Sequence, residues 1–357
     1  MSPLNPLGPL SPMIECVPNF SEGRDAAVIR QITDAVESVS GVKLLHVDPG
    51  QAANRTVVTF VGKPEAVTEA AFRAAATAAR VIDMRNHHGT HPRIGATDVL
   101  PLIPLSGITL DECANLARQL AQRMATEANI PCYCYEAAAL RPEFKNLAVC
   151  RQGEYEALDR KLTTPELQPD FLPPIMTDNG VGTTIPNNPC DGSPVTIPEC
   201  VRRSGCSVVG AREFLVAVNF NLDTKDVAIA KAIAADVRQK GPEGRPYALP
   251  TVKAIGWYID EYGIAQVSTN LTDINTTPLH VAFDTISSCA LEHGVHVTGT
   301  EIVGLIPKRV LTEAGAYFLG HDADDEMLMQ TAVSRMHLDE LAPFVPKQRV
   351  LELLAAL

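Results

Sequence analysis

The chain of 357 residues has no apolar run near the roughly 18 residues that a membrane-spanning helix needs. It has no Cys-x-x-Cys pair and no His-Glu-x-x-His. No nearby Cys or Asp completes a tetrahedron beside its clustered histidines, so no metal site is expected. Gly-x-x-x-x-Gly-Lys-[Ser/Thr] and a strand-borne Gly-x-Gly-x-x-Gly are missing, which excludes the common nucleotide-phosphate cradles. A Gly-x-Ser-x-Gly elbow is missing too, so a serine hydrolase has no support. Basic residues are outnumbered, 30 Lys and Arg against 42 Asp and Glu, for a formal net charge of -12. That balance argues against nucleic acid as a partner, although a local positive pocket for a small anion stays compatible with it. Residues 1–12 hold four prolines and no basic residue, unlike a secretory signal. They read as a disordered lead-in. The nine cysteines are an odd set without paired spacing, and they read as reduced, mostly buried thiols of a cytoplasmic protein.

The length suggests two domains. In the first half, residues 13–18, 42–47, 55–61, 98–105 and 130–135 have strand character. Residues 25–39, 65–82 and 109–128 carry apolar positions at helical spacing. Thr109 and Glu112 have the spacing of a capping box, and Asp48-Pro49-Gly50 reads as a turn. Between residues 162 and 205 the pattern fails. Pro, Gly and Asn crowd there, as in Pro186-Asn187-Asn188-Pro189-Cys190-Asp191-Gly192, and the stretch reads as a linker or functional loop. Afterwards 213–220, 252–259, 265–270 and 295–303 read as strands. Residues 224–238, 277–292, 307–319 and 324–335 read as helices. Each half runs strand, helix, strand, strand, helix, strand. The expected fold is α+β, with two ferredoxin-like (split βαβ) subdomains at 13–212 and 213–357.

The chemistry concentrates at His87-His88-Gly89-Thr90-His91-Pro92-Arg93. Three of nine histidines fall within five residues, on a glycine-containing loop that leaves a helix. Imidazole both takes and gives a proton near neutral pH, which makes His91 the candidate acid–base group. His87 either fixes the shape of the loop or lies in solvent. Asp48 is equally readable as a turn residue or as a carboxylate that orients an imidazole. Arg55, Arg93 and Arg212 are candidates to meet a substrate carboxylate, because a guanidinium fork matches one.

Several longer strings resemble the formiminotransferase family. They include Glu15-Cys16-Val17-Pro18-Asn19-Phe20-Ser21-Glu22-Gly23, Asn54-Arg55-Thr56-Val57 and His87-x-Gly89-x-His91-Pro92-Arg93-Ile94-Gly95-Ala96-x-Asp98-Val99. Further matches are Gly153-Glu154-Tyr155-Glu156, Gly210-Ala211-Arg212, Gln266-Val267-Ser268 and Glu301-Ile302-Val303-Gly304. The resemblance runs from about residue 13 onward. It implies transfer of a formimino group from N-formiminoglutamate to the co-substrate tetrahydrofolate, with folate held in a cleft between two subdomains. It implies His91 and Asp48 as the catalytic pair, and Asn19, Asn54, Arg55, His87, Arg93 and Arg212 as the substrate- and folate-contacting set. Formyl transfer between 5-formyltetrahydrofolate and glutamate, and folate binding without catalysis, are the competing expectations. The animal members carry a cyclodeaminase domain after the transferase, so a separate cyclodeaminase partner is expected here. A homodimer would fit, though no residue specifies one.

Overall fold

The computed structural model of the chain describes residues 11–176, 197–239 and 246–355. Two compact units divide it, Met1–Arg212 and Glu213–Leu357. The first unit contains β1 (Met13–Cys16), β2 (Asn19–Phe20), α1 (Ala26–Glu37), β3 (Val42–Gly50), β4 (Arg55–Gly62) and α2 (Pro64–Val81). There follow β5 (Thr97–Ser106), α3 (Leu110–Ala128), β6 (Cys132–Glu136), α4 (Leu147–Cys150), α5 (Leu158–Thr163), α6 (Glu199–Ser204) and β7 (Ser207–Ala211). Local chemistry sets the helix starts. The Asp25 carboxylate accepts from the first turn of α1, and Pro64 opens α2. Thr109 and Glu112 form the expected capping box of α3, and left-handed Asn129 closes that helix.

These strands form one sheet. β1 and β2 lie in succession between β4 and β5, antiparallel to both, and β3 pairs with β4. On the other side β5, β7 and β6 run parallel. Alternation along the strands divides the apolar residues between two cores. Leu100, Leu102, Cys132, Cys134, Val209 and Ala211 pack with the alanine-rich face of α2 (Ala70, Ala71, Ala74, Ala75 and Ala78) and with α3. Val99, Tyr133, Tyr135 and Val208 join a second core with Leu158, Leu162 and Val201 of α5 and α6.

The second unit contains β8 (Val216–Leu222), α7 (Val227–Val237), β9 (Val252–Ile259), β10 (Ile264–Leu271), α8 (Leu279–Glu292) and β11 (Val297–Val303). It ends with α9 (Lys308–Leu319), α10 (Asp325–Arg335), α11 (Pro346–Arg349) and α12 (Leu351–Ala355). Its sheet is antiparallel in the order β11-β8-β10-β9. Val216, Val218, Phe220 and Leu222 enter a core with Ile233 and Ile286. Their alternates Asn219 and Asn221 join Gln266, Glu301 and Glu340 in a hydrogen-bonded polar layer.

Three local readings differ from the structure. Strand β7 was not expected: it is five residues long and follows the irregular stretch, and its place between β5 and β6 is decided by those partners. Asp48, Pro49 and Gly50 are not a turn but the end of β3, opposite Val57, Thr56 and Arg55. Proline is tolerated there because β3 is an edge strand. The stretch 162–205 holds regular structure at its flanks, in α5 and α6; the string at 186–192 lies outside the described residues, as do residues 1–10 of the expected lead-in.

In α9, a Cβ at Gly315 would fall 1.9 Å from the Leu328 carbonyl oxygen of α10. Alanine gains about 1 kcal/mol in helix propensity, but the overlap is with backbone and costs about 1–3 kcal/mol. Gly315→Ala is therefore expected to lower the urea midpoint of unfolding, and a raised midpoint would show that α9 and α10 separate easily.

Candidate functional site

The loop from α2 to β5 is braced by its own side chains. The Asp83 carboxylate accepts from the backbone N–H and the guanidinium of Arg85, whose other end pairs with Glu199 of α6. Next comes His87, which is buried. Its Nε2–H donates to the Asn54 carbonyl at 2.7 Å, and its Nδ1 accepts from Arg93 Nε at 3.3 Å. Burial lowers its pKa, and both ring nitrogens are engaged as a neutral imidazole requires. Asn54 holds a left-handed φ of 46° and ties three segments together. Its side chain accepts from the Gly23 N–H at 3.0 Å and donates to the His88 carbonyl at 3.1 Å. At Gly89 the loop presses so closely on the preceding turn that a Cβ would meet the Ala53 carbonyl oxygen at 2.0 Å.

Arg93 is spent on the same scaffold. It donates to Glu154 (2.9 Å), to both oxygens of Glu156 (2.6 and 2.8 Å), and to the carbonyl and ring of His87. A guanidinium has five N–H donors, and these bonds use all five. Arg93, expected to meet a substrate carboxylate, has Glu154 and Glu156 as its carboxylate partners in this structure. The family-like string Gly153-Glu154-Tyr155-Glu156 thus braces the histidine loop, helped by the Tyr155 N–H on the Arg93 carbonyl (2.9 Å).

Beyond the loop lies Asp98, fully buried near the start of β5. Its carboxylate accepts from Arg55 Nη1 (2.5 Å), Arg151 Nη2 (2.5 Å) and Nε (3.3 Å), and the Ile94 N–H (3.0 Å). Burial alone would raise its pKa, but Arg151 and Arg55 outweigh that and hold it well below the usual carboxylate range. Burial draws Arg55 down to about 10, against the opposing pull of Asp98, so it stays charged at neutral pH. Arg55 Nε also donates to Asn19 Oδ1 at 3.0 Å. One carboxylate between two guanidiniums leaves an excess positive charge.

His91 feels that excess. The ring is half-buried, and its Nδ1 lies 2.7 Å from the Pro92 carbonyl oxygen. A carbonyl can only accept, so Nδ1 carries the proton and the lone pair of the neutral ring is on Nε2. Burial, then Arg55 and Arg151, push its pKa well below the ordinary value, with Asp98 pulling weakly the other way. At neutral pH the ring is uncharged, as a general base must be.

Asp48 sits half-buried on β3, opposite Val57, which in turn pairs with Asn19 of β2. Directly opposed residues share a sheet face, so Asp48 and Asn19 are aligned across β4. The carboxylate that acts on His91 most strongly is nevertheless Asp98. Arg212 follows β7; its N–H donates to the Leu102 carbonyl at 3.1 Å, and its side chain hydrogen-bonds Tyr135. Asp98, Arg151, Glu154 and Glu156 were not among the residues expected to form a site. Asp98 carried a readable signal: a charged residue inside an apolar strand is rarely buried unless it is paired.

Two family models match the chain: the formiminotransferase domain, N-terminal subdomain, over residues 13–186, and the formiminotransferase domain over residues 217–356. The chain belongs to the formiminotransferase family. It is similar to a glutamate formimidoyltransferase of Streptococcus pyogenes serotype M1, at 38% identity over 87% of this chain and 94% of that protein. A glutamate formimidoyltransferase of Thermoplasma acidophilum is 37% identical over 88% of this chain and 94% of its own length. The formimidoyltransferase-cyclodeaminase of Rattus norvegicus is 42% identical over 97% of this chain, which spans 60% of that longer protein. In this formiminotransferase-family chain the matched regions include the histidine loop and the Asp98 clamp.

Removing one partner of a buried ion pair strands the other, at a cost of about 3–5 kcal/mol. Asp98→Asn is therefore expected to lower unfolding free energy by that order, read in denaturant at pH 7. Its folded pKa is depressed, so the stability it gives is present above the unfolded value near 3.9 and is lost as pH falls through the folded value. The wild-type advantage over the variant should persist from pH 7 to pH 5. Equal stability of the two proteins across that range would contradict the clamp.

Proposed function

We propose that this chain transfers the formimino group of N-formimino-L-glutamate to N5 of tetrahydrofolate, giving 5-formiminotetrahydrofolate and glutamate. The observation that carries the reading is the His91 ring, neutral and proton-fixed at Nδ1. Support from likeness comes from the two proteins named glutamate formimidoyltransferase, matched over nearly their whole length. In this reading N5 attacks the amidine carbon while His91 Nε2 takes its proton. The N5–C bond forms, the C–N bond to glutamate breaks, and the imidazolium returns the proton to the departing nitrogen. The excess positive charge beside the ring makes the imidazolium short-lived, which favours that return. Holding two substrates in register supplies much of the remaining rate.

Asp48 is the second carboxylate of the proposed site, and its alignment with Asn19 across β4 supports placing it on the working face of the sheet. Arg212 is assigned a substrate carboxylate. Asn19 and Arg55 hold the base of the site, whereas Asn54, His87 and Arg93 are assigned to positioning the loop. In the first unit β1 and β2 together lie between β4 and β5, and in the second β8 lies between β10 and β11, which supports reading each as a split βαβ. The folate cleft belongs to the same proposal and rests on the family likeness. A cytoplasmic location fits: no described helix is long and apolar enough to cross a membrane.

His91→Ala is expected to keep the fold and lose about 100-fold or more in turnover. Near-normal turnover would refute the role of the ring. A donor screen with tetrahydrofolate, following glutamate release, should give faster turnover with N-formiminoglutamate than with N-formylglutamate. Preference for the formyl donor would favour formyl transfer, and tight folate binding without turnover of either donor would favour a binding protein.

A further inference from the structure

We infer that the second unit carries a zinc site formed by Asp236, Cys289 and His293. Asp236 is the next-to-last residue of α7, Cys289 lies in the last turn of α8, and His293 is the residue that caps that helix. Cys289 and His293 are four apart, the spacing that puts two side chains on one face of a helix. A carboxylate oxygen of Asp236, the Cys289 sulfur and a ring nitrogen of His293 all lie within 4.8 Å of one another. His293 Nε2 is already 3.0 Å from Asp236 Oδ2. Zinc bonds of about 2.0–2.3 Å separate neighbouring tetrahedral ligands by about 3.3–3.8 Å, so small side-chain rotations bring the three atoms onto one ion.

The surroundings suit such an ion. Cys289 is 1% exposed and Asp236 4%, while His293 is half-open to solvent. Two ligands are therefore held in a dry wall, and the third marks the way in. Thiolate, carboxylate and neutral imidazole carry two negative charges, which balance Zn2+. The sulfur argues against magnesium and calcium, which take oxygen. Both helices bring the negative ends of their dipoles to this place. Three protein ligands leave a fourth position for water on the open side. Binding would expel the thiol proton of Cys289, and the His293 proton would move from Nε2 to Nδ1 if Nε2 is the ligand atom. None of the three residues is assigned to formimino transfer. The ion would join the ends of α7 and α8, so its effect is on stability. The spacing rules read from sequence miss this set, because its ligands lie 53 and four residues apart on two helices.

The test uses the full chain, stripped with a chelator and kept reduced by a phosphine. Zinc sulfate alone should bind at one ion per chain in competition with a chromophoric chelator. Saturation should raise Tm by about 4 °C or more. Co2+ in place of zinc should give a thiolate-to-metal charge-transfer band and the intense visible absorption of a four-coordinate site. Cys289→Ser should abolish that band, and His293→Gln should weaken zinc binding about 100-fold or more while circular dichroism stays unchanged. Because Cys289 is in the core, His293→Gln decides the matter if the serine variant does not fold. Failure to bind zinc would overturn the proposal, and so would a cobalt band and affinity that survive His293→Gln.

Discussion

A single buried carboxylate organises the first unit. Asp98 has no exposure, and it is tolerable there only because four donors meet it, three of them from guanidiniums. Those contacts join β5 to β4 through Arg55 and to the segment after α4 through Arg151. Their net charge reaches His91, whose ring is held neutral by burial and by the two arginines. The same ion cluster therefore joins these strands and adds to burial in lowering the proton affinity of the group assigned to catalysis.

The three clustered histidines differ in their hydrogen bonds. His87 has both ring nitrogens committed to Asn54 and Arg93 and acts as a strut. His88 lends its carbonyl to Asn54. His91 places its Nδ1 proton on the Pro92 carbonyl, which fixes the tautomer of the ring. Glycine stands where backbone must touch backbone. A Cβ at Gly95 would meet the Cys206 carbonyl oxygen at 2.0 Å, so the loop lies against the segment between α6 and β7 as closely as it does against the turn at Ala53. Loop placement is set by contact and hydrogen bonding on every side, which suits a group that must hold its position.

Much of this was legible before any coordinates. The strand and helix order and the capping box came from periodicity and turn chemistry, and imidazole chemistry singled out the histidine loop as a candidate. Short β7 was hidden because five residues carry little periodic signal. The Asp48-Pro49-Gly50 reading failed because Pro-Gly is common in turns and the sequence gives no sign that this strand is an edge. The ion pairs of Arg93 were not foreseen because its partners, Glu154 and Glu156, are 61 and 63 residues away in sequence. Asp98 stood inside a noted motif, but its two arginine partners are 43 and 53 residues distant. Ion pairs of that range have no local signature, so the electrostatics of the candidate site could not be read from the sequence.

The central claim is the state of one ring, and it can be measured directly. Nitrogen-15 NMR of histidine-labelled protein, with His91→Gln to assign the signal, gives both tautomer and pKa. The account predicts a ring protonated at Nδ1 that stays neutral until the pH is well below 6.5. A His91 signal that titrates at or above 6.5, or that carries its neutral-form proton on Nε2, would contradict it.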